Sequence, residues 1–159
     1  MNAGLIYYAT MLAAAAAPVG HRYYQLNISA TGTSGNYCGI PELQLRTTVG
    51  GASVAVGGTA SANSSYSGYP ASNAFDGNTG TSWFSNGTSA PFILEYDFGS
   101  GNAHKIVQYA IYGQTTLGQT PSSWTLEYSD DGTTWTTADT RTSAAMTINA
   151  YNIFTVASP

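Results

Sequence analysis

Apolar residues alternate with polar ones along several short runs of this chain, and that period of two predicts β-strands. Residues 23–29 place Tyr24, Leu26 and Ile28 on one face, and residues 41–46 point Leu43 and Leu45 inward. Residues 92–98 form a further run that ends at Gly99, and residues 105–112 carry Ile106, Tyr109 and Ile111. Residues 123–129 set Trp124, Leu126 and Tyr128 on one face, then meet Asp130, Asp131 and Gly132, a strong turn signal. Residues 134–137 return as the hairpin partner, and residues 151–156 form the last strand. About eight strands are expected after Gly20, enough for a two-sheet sandwich, so the fold class is all-β. Trp83, Trp124 and Trp135 are expected to pack in or beside the core; the other reading is a ring that stacks on a sugar.

The first seventeen residues break this pattern: they are Ala-rich, carry no charged side chain and run into Pro18. A signal peptide would add a basic start, which is missing. A membrane span would need roughly 20 apolar residues, so the run is short and no transmembrane span is expected. The third reading is a helix or extended arm that docks on protein subunits of an assembly, and it is the one we expect. Two units follow: an N-terminal docking arm over residues 1–20 and a β-sandwich over residues 21–159.

Composition narrows the function classes. Charged residues make up 8% of the 159, the formal net charge is −4, and only four Lys or Arg are present. Phosphate binding needs a basic patch, so nucleic acid is not an expected partner. The single cysteine, Cys38, is expected to be a small buried hydrophobe. His21 and His104 sit in different contexts with no nucleophile motif near either, and no zinc spacing or phosphate-cradling loop appears. The chain is therefore not expected to be an enzyme.

Residues 73–83 form an oxygen-rich turn around Asp76, with amides, hydroxyls and glycines that let carbonyls turn inward. Hard cations such as calcium take six to eight oxygens from such groups. An Asp-Gly-Asn loop is equally a good ordinary turn, so the loop alone leaves both readings open.

Residues 60–83, from Ala60 through Tyr66, Tyr69 and Asn73 to Trp83, resemble the opening of the discoidin domain, also called the coagulation factor 5/8 type C domain. Its superfamily is galactose-binding-like and includes the family 32 carbohydrate-binding modules. Residues 90–99 resemble the family's "P-x-W-L-x-x-D-L-G" strand, and residues 124–135 its "Y-x-x-S-x-D-G-x-x-W" hairpin. The resemblance implies a jelly-roll β-sandwich that binds a ligand without catalysis. The order departs from the family: the segments around Arg22-Tyr23 and Pro41-Glu42-Leu43, which resemble its closing strands, stand before the Asp76 loop. The chain thus looks circularly permuted, similar to arrangements in structural proteins of tailed phages. That likeness implies a virion or extracellular setting.

The resemblance also implies residue roles. A structural Ca2+ would take side-chain oxygens from Asp76 and Glu42. Carbonyls of Phe75, Asn78, Thr81 and Pro41 would complete the set, with the Thr81 hydroxyl as a further ligand. Family ligand sites lie on variable loops, which makes Tyr66, Tyr69, Phe84, Asn86, Gln114 and Gln119 the candidates for a surface glycan; a tyrosine there is equally a lid over the core. The His and Arg often used by galactose-binding members have no clear counterparts, since His104 precedes a strand and Arg141 is expected in a late loop. The functional expectation is a binding module, a virion or extracellular-assembly structural protein that contacts cell-surface glycans. The alternatives are a purely structural subunit and a secreted carbohydrate-binding domain with an atypical signal peptide.

Overall fold

A computed structural model describes residues 20–159. The arm expected over residues 1–17 lies outside the described residues.

Strand β1 spans Tyr23–Thr31, β2 Gly39–Ile40, β3 Leu43–Arg46, β4 Thr59–Ala62, β5 Trp83–Phe84 and β6 Phe92–Asp97. Then come β7 (Gln108–Tyr112), β8 (Pro121–Ser129), β9 (Thr136–Arg141) and β10 (Tyr151–Thr155). Their pairings are antiparallel and build a five-stranded sheet, β4-β6-β1-β8-β9, a three-stranded sheet, β10-β7-β3, and the small pair β2-β5. Helical structure among the described residues is limited to 3-10 turns over Ala71–Phe75 and Leu117–Gln119.

Alternation explains why β1 sits at the centre. Tyr24, Leu26 and Ile28 point inward and are buried. The register makes continuous rows across three strands: Leu94–Leu26–Leu126 and Phe92–Ile28–Trp124. Cross-strand apolar pairs of this kind are the unit of sheet stabilisation. The second sheet answers with Leu43, Leu45, Tyr109 and Ile111, all buried, so the core lies between the two layers. Cys38 is fully buried, as expected.

The strand count exceeds the sequence expectation because β2 and β5 have two residues each and β4 consists of Thr, Ala and Ser. Neither length nor polarity gives such segments a readable period. The expected strand over 105–112 starts only at Gln108. Before it, the chain is committed elsewhere: His104 pairs through its backbone with His21, and Val107 N–H donates to the Arg46 carbonyl.

The β8–β9 hairpin also starts later than expected. Asp131 accepts the backbone N–H groups of Thr133 and Thr134 at 2.8 and 2.7 Å, donors that a strand would otherwise use. These bonds hold its carboxyl well below the usual carboxylate range. Gly132, with φ +71°, completes the turn. β9 then runs on to Arg141, which ends a strand instead of lying in a loop. Trp83 and Trp124 are buried in the core, whereas Trp135 is half-buried and packs outside it.

Candidate functional site

The loop after the Ala71–Phe75 turn closes on itself and on β3's leading residues. Asp76 Oδ1 accepts the Asn78 N–H at 2.8 Å, and its Oδ2 lies 2.7 Å from the Thr81 hydroxyl. The Asn78 carbonyl accepts the Thr81 N–H at 3.2 Å, and Asn73 Nδ2 ties the loop's base to the Ser82 carbonyl at 2.9 Å. Phe75 packs its ring against Tyr96, with centroids 4.7 Å apart. Gly77 sits at φ +75°, where only glycine is unstrained.

Glu42 approaches this loop from 35 residues away: Gly77 N–H donates to its Oε2 at 3.1 Å. Pro41 and Glu42 are both buried. Burial pushes the Glu42 carboxyl up to about 7, against the Gly77 hydrogen bond, and the negative charge of Asp76 adds to the rise. No Lys or Arg among the described residues forms an ion pair with Glu42. A buried carboxylate with one N–H donor and a second carboxylate for a neighbour is short of positive charge. That shortage fits an oxygen-seeking cation. Among the described residues no cluster of three or more His, Cys, Asp or Glu converges, so any further oxygens here come from carbonyls and hydroxyls.

The ligand candidates separate into two groups. Tyr66, Tyr69, Phe84 and Gln119 come together, with Tyr37 as a fifth member, around an open concavity of about 200 Å³. Gln114 turns inward instead: its Nε2 donates to the Ser82 hydroxyl at 2.9 Å and it is buried. Asn86 is exposed beyond β5 and lies outside the concavity.

Backbone bonds hold the rings in place. Tyr69 N–H donates to the Tyr66 carbonyl across a tight turn whose Gly68 has φ +85°. That turn is strapped to β5 twice, by Tyr66 N–H to the Phe84 carbonyl at 2.8 Å and by Phe84 N–H to the Tyr69 carbonyl at 3.4 Å. Tyr37, in the segment leading into β2, supplies the other wall, and Cys38 and Ser85 fix it through Ser85 N–H to the Cys38 carbonyl and Cys38 N–H to the Ser85 hydroxyl, both at 2.9 Å. Tyr37 escaped sequence reasoning because it stands just before β2, in a segment with no readable period.

The two histidines share a backbone bridge, but their rings part. The His21 ring stacks on Tyr128 at 3.7 Å and bonds Asp130, while that of His104 packs on Phe98. Arg141 is committed to Asp139 and to the Thr155 carbonyl, each at 2.7 Å.

A family model described as the F5/8 type C domain matches residues 59–157, more than half of the chain. No curated protein and no solved structure matches.

Proposed function

We propose, from the premise that this chain belongs to the F5/8 type C domain family, that it is a non-catalytic module that contacts a surface glycan through the cup formed by Tyr37, Tyr66, Tyr69, Phe84 and Gln119. Domains of this family are ligand-binding modules, generally non-catalytic and typically extracellular. No helix among the described residues is long and apolar enough to cross a membrane. The observation that carries the reading is the preorganised cluster of four aromatic side chains on hydrogen-bonded backbone. Exposed aromatics with a planar amide beside them offer a sugar both stacking and a hydrogen bond.

A calcium ion held by Glu42, Asp76 and carbonyls of Pro41, Phe75, Asn78 and Thr81 belongs to the same proposal. It would neutralise the two carboxylates and clamp the loop that leads into β5. Its role is structural.

The order of the chain reads as a permutation. The family match begins at β4, yet β1 lies between β6 and β8, and β3 lies beside β7. Residues 47–58 then serve as the new connection. The sandwich's own ends meet the same segment, His21 at His104 and Val156 at Val107, which supports this order.

A glycan array probed with the full chain and with a Tyr66→Ala/Tyr69→Ala variant tests the cup. Specific binding is expected, with a loss of roughly 30-fold or more in the variant. Undiminished binding by the variant contradicts the proposal.

A second reading, assembly subunit of a virion or extracellular particle, is favoured by the β10 edge. Tyr151 and Ile153 are 37% and 55% exposed there, and the strand carries no charge that would blunt pairing. Under this reading, deletion of residues 1–17 lowers the assembly state seen by light scattering; an unchanged state counts against the arm.

A further inference from the structure

We infer that the group seated in the cup is a quaternary ammonium, such as the choline substituent of a decorated surface glycan. This rests on the reading of the cup as the ligand site.

The geometry of the rings carries it. A pyranose stacks its flat face on one ring, which a single exposed tyrosine can offer, so the remaining rings are left for a further group. Here successive rings turn steeply: Tyr37 to Tyr66 by 75°, Tyr66 to Tyr69 by 52° and Tyr69 to Phe84 by 87°. Centroids lie 5.9, 6.1 and 5.2 Å apart. Such rings make walls, and the open concavity they line suits a compact, nearly spherical group. Gly39 lets the walls close. A Cβ at that position would stand 2.4 Å from Phe84 Cε1, so the Phe84 ring lies directly over Gly39, two residues along from Tyr37.

The electrostatics point the same way. The lining contains no Lys, Arg or His, and the whole chain carries −4. An anionic sugar would find no counter-charge. A cation meets the negative faces of the rings. Among cations, a primary ammonium brings three N–H donors, and the acceptors among the lining side chains are the Gln119 amide and three phenol hydroxyls, none of them a carboxylate. A quaternary ammonium has no N–H to satisfy, so π faces alone can desolvate it.

The test is a titration of the full chain, followed through its aromatic-ring NMR signals, with choline and with 3,3-dimethylbutan-1-ol. The alcohol keeps choline's shape and replaces the charged nitrogen with carbon. Choline is expected to bind about tenfold more tightly than the alcohol. Tyr66→Leu and Tyr69→Leu, both at exposed positions, should each weaken choline while leaving the melting temperature unchanged. Equal affinity for the two probes, or no choline binding, overturns the inference. If choline is silent but a neutral sugar still shifts the cup's rings, only the quaternary ammonium falls. If both are silent, the glycan reading of the cup falls with it. A choline-bearing polysaccharide is expected to compete for the cup; competition by phosphatidylcholine vesicles alone overturns the assignment to a glycan.

Discussion

Replacing Asp139 with alanine is expected to destabilise the sandwich by about 2–3 kcal/mol, because it leaves the buried Tyr109 hydroxyl without its acceptor and removes the partner of the partly exposed Arg141. Asp139 is 3% exposed and joins the two sheets. Its Oδ2 accepts the Tyr109 hydroxyl and the Arg141 Nε–H, each at 2.7 Å. Tyr109 in turn accepts the Trp124 indole N–H at 2.9 Å, and Arg141 reaches the Thr155 carbonyl on β10. A bulge makes this possible. Leu126 pairs with Asp139 and Glu127 with Thr137, so Ala138 is the extra residue, and Ala138 and Asp139 are buried in succession. The bulge turns Asp139 onto the inward face beside Leu126. Asp139→Asn keeps an acceptor and should lose less, about 1–2 kcal/mol. Chemical denaturation measures both; a loss below about 1 kcal/mol for Asp139→Ala would show that the network does not hold the sheets together.

Without a divalent cation, stability is expected to fall as pH rises from about 4.5 to 7, because the folded Glu42 carboxyl titrates near 7 and its ordinary value is 4.5. The folded state then holds the proton more tightly than the unfolded state. The contribution is full below the ordinary carboxylate range and is lost as pH climbs through the folded value. Its size is at most about 3 kcal/mol. Glu42→Gln should flatten this slope and be at least as stable as the parent at pH 7 without added cation. Calcium in the proposed clamp reverses the trend. At a hundredfold excess over Kd it adds about 2.7 kcal/mol, roughly 5–10 °C in Tm, and a chelator removes the gain. Melts of parent and Glu42→Gln between pH 4.5 and 8, with calcium and with chelator, check all three effects. A calcium response that survives in Glu42→Gln/Asp76→Ala would place the ion elsewhere.

The parts of the fold legible in the sequence are those where one face is buried for several residues. In β1, β6 and β8 the apolar residues alternate because they meet a second sheet; the burial follows strictly in β6, whereas the outward Gln25 of β1 is itself covered and donates to Glu127. β2 and β5 were not legible, since two residues carry no period. This one blind spot concealed Tyr37, whose place beside Tyr66 depends on the β2–β5 pairing. Tyr66, Tyr69, Phe84 and Gln119 were recognisable as loop groups, but nothing local distinguished them from Gln114, which tertiary contacts draw inward to Ser82. The approach of Glu42 to the Asp76 loop could be anticipated only from the family resemblance, because 35 residues and a change of sheet separate Gly77 from it. Asp139 was missed because a bulge, invisible to strict alternation, decides which way it points.

The central claim is that the ligand enters the aromatic cup, and a competing surface makes it testable. A larger concavity of about 470 Å³ lies over β1, β8 and β9, lined by Asn27, Thr125, Glu127 and Arg141 among others. Trp124 is the one aromatic ring in its lining and is only 2% exposed, so it offers no open aromatic face. Side-chain NMR of the full chain, recorded during titration with the best-bound array glycan, distinguishes the two. Shifts centred on Tyr37, Tyr66, Tyr69 and Phe84, with Asn27 and Thr125 unmoved, are the predicted result; shifts centred on Asn27 and Thr125, with the four rings silent, would contradict the account.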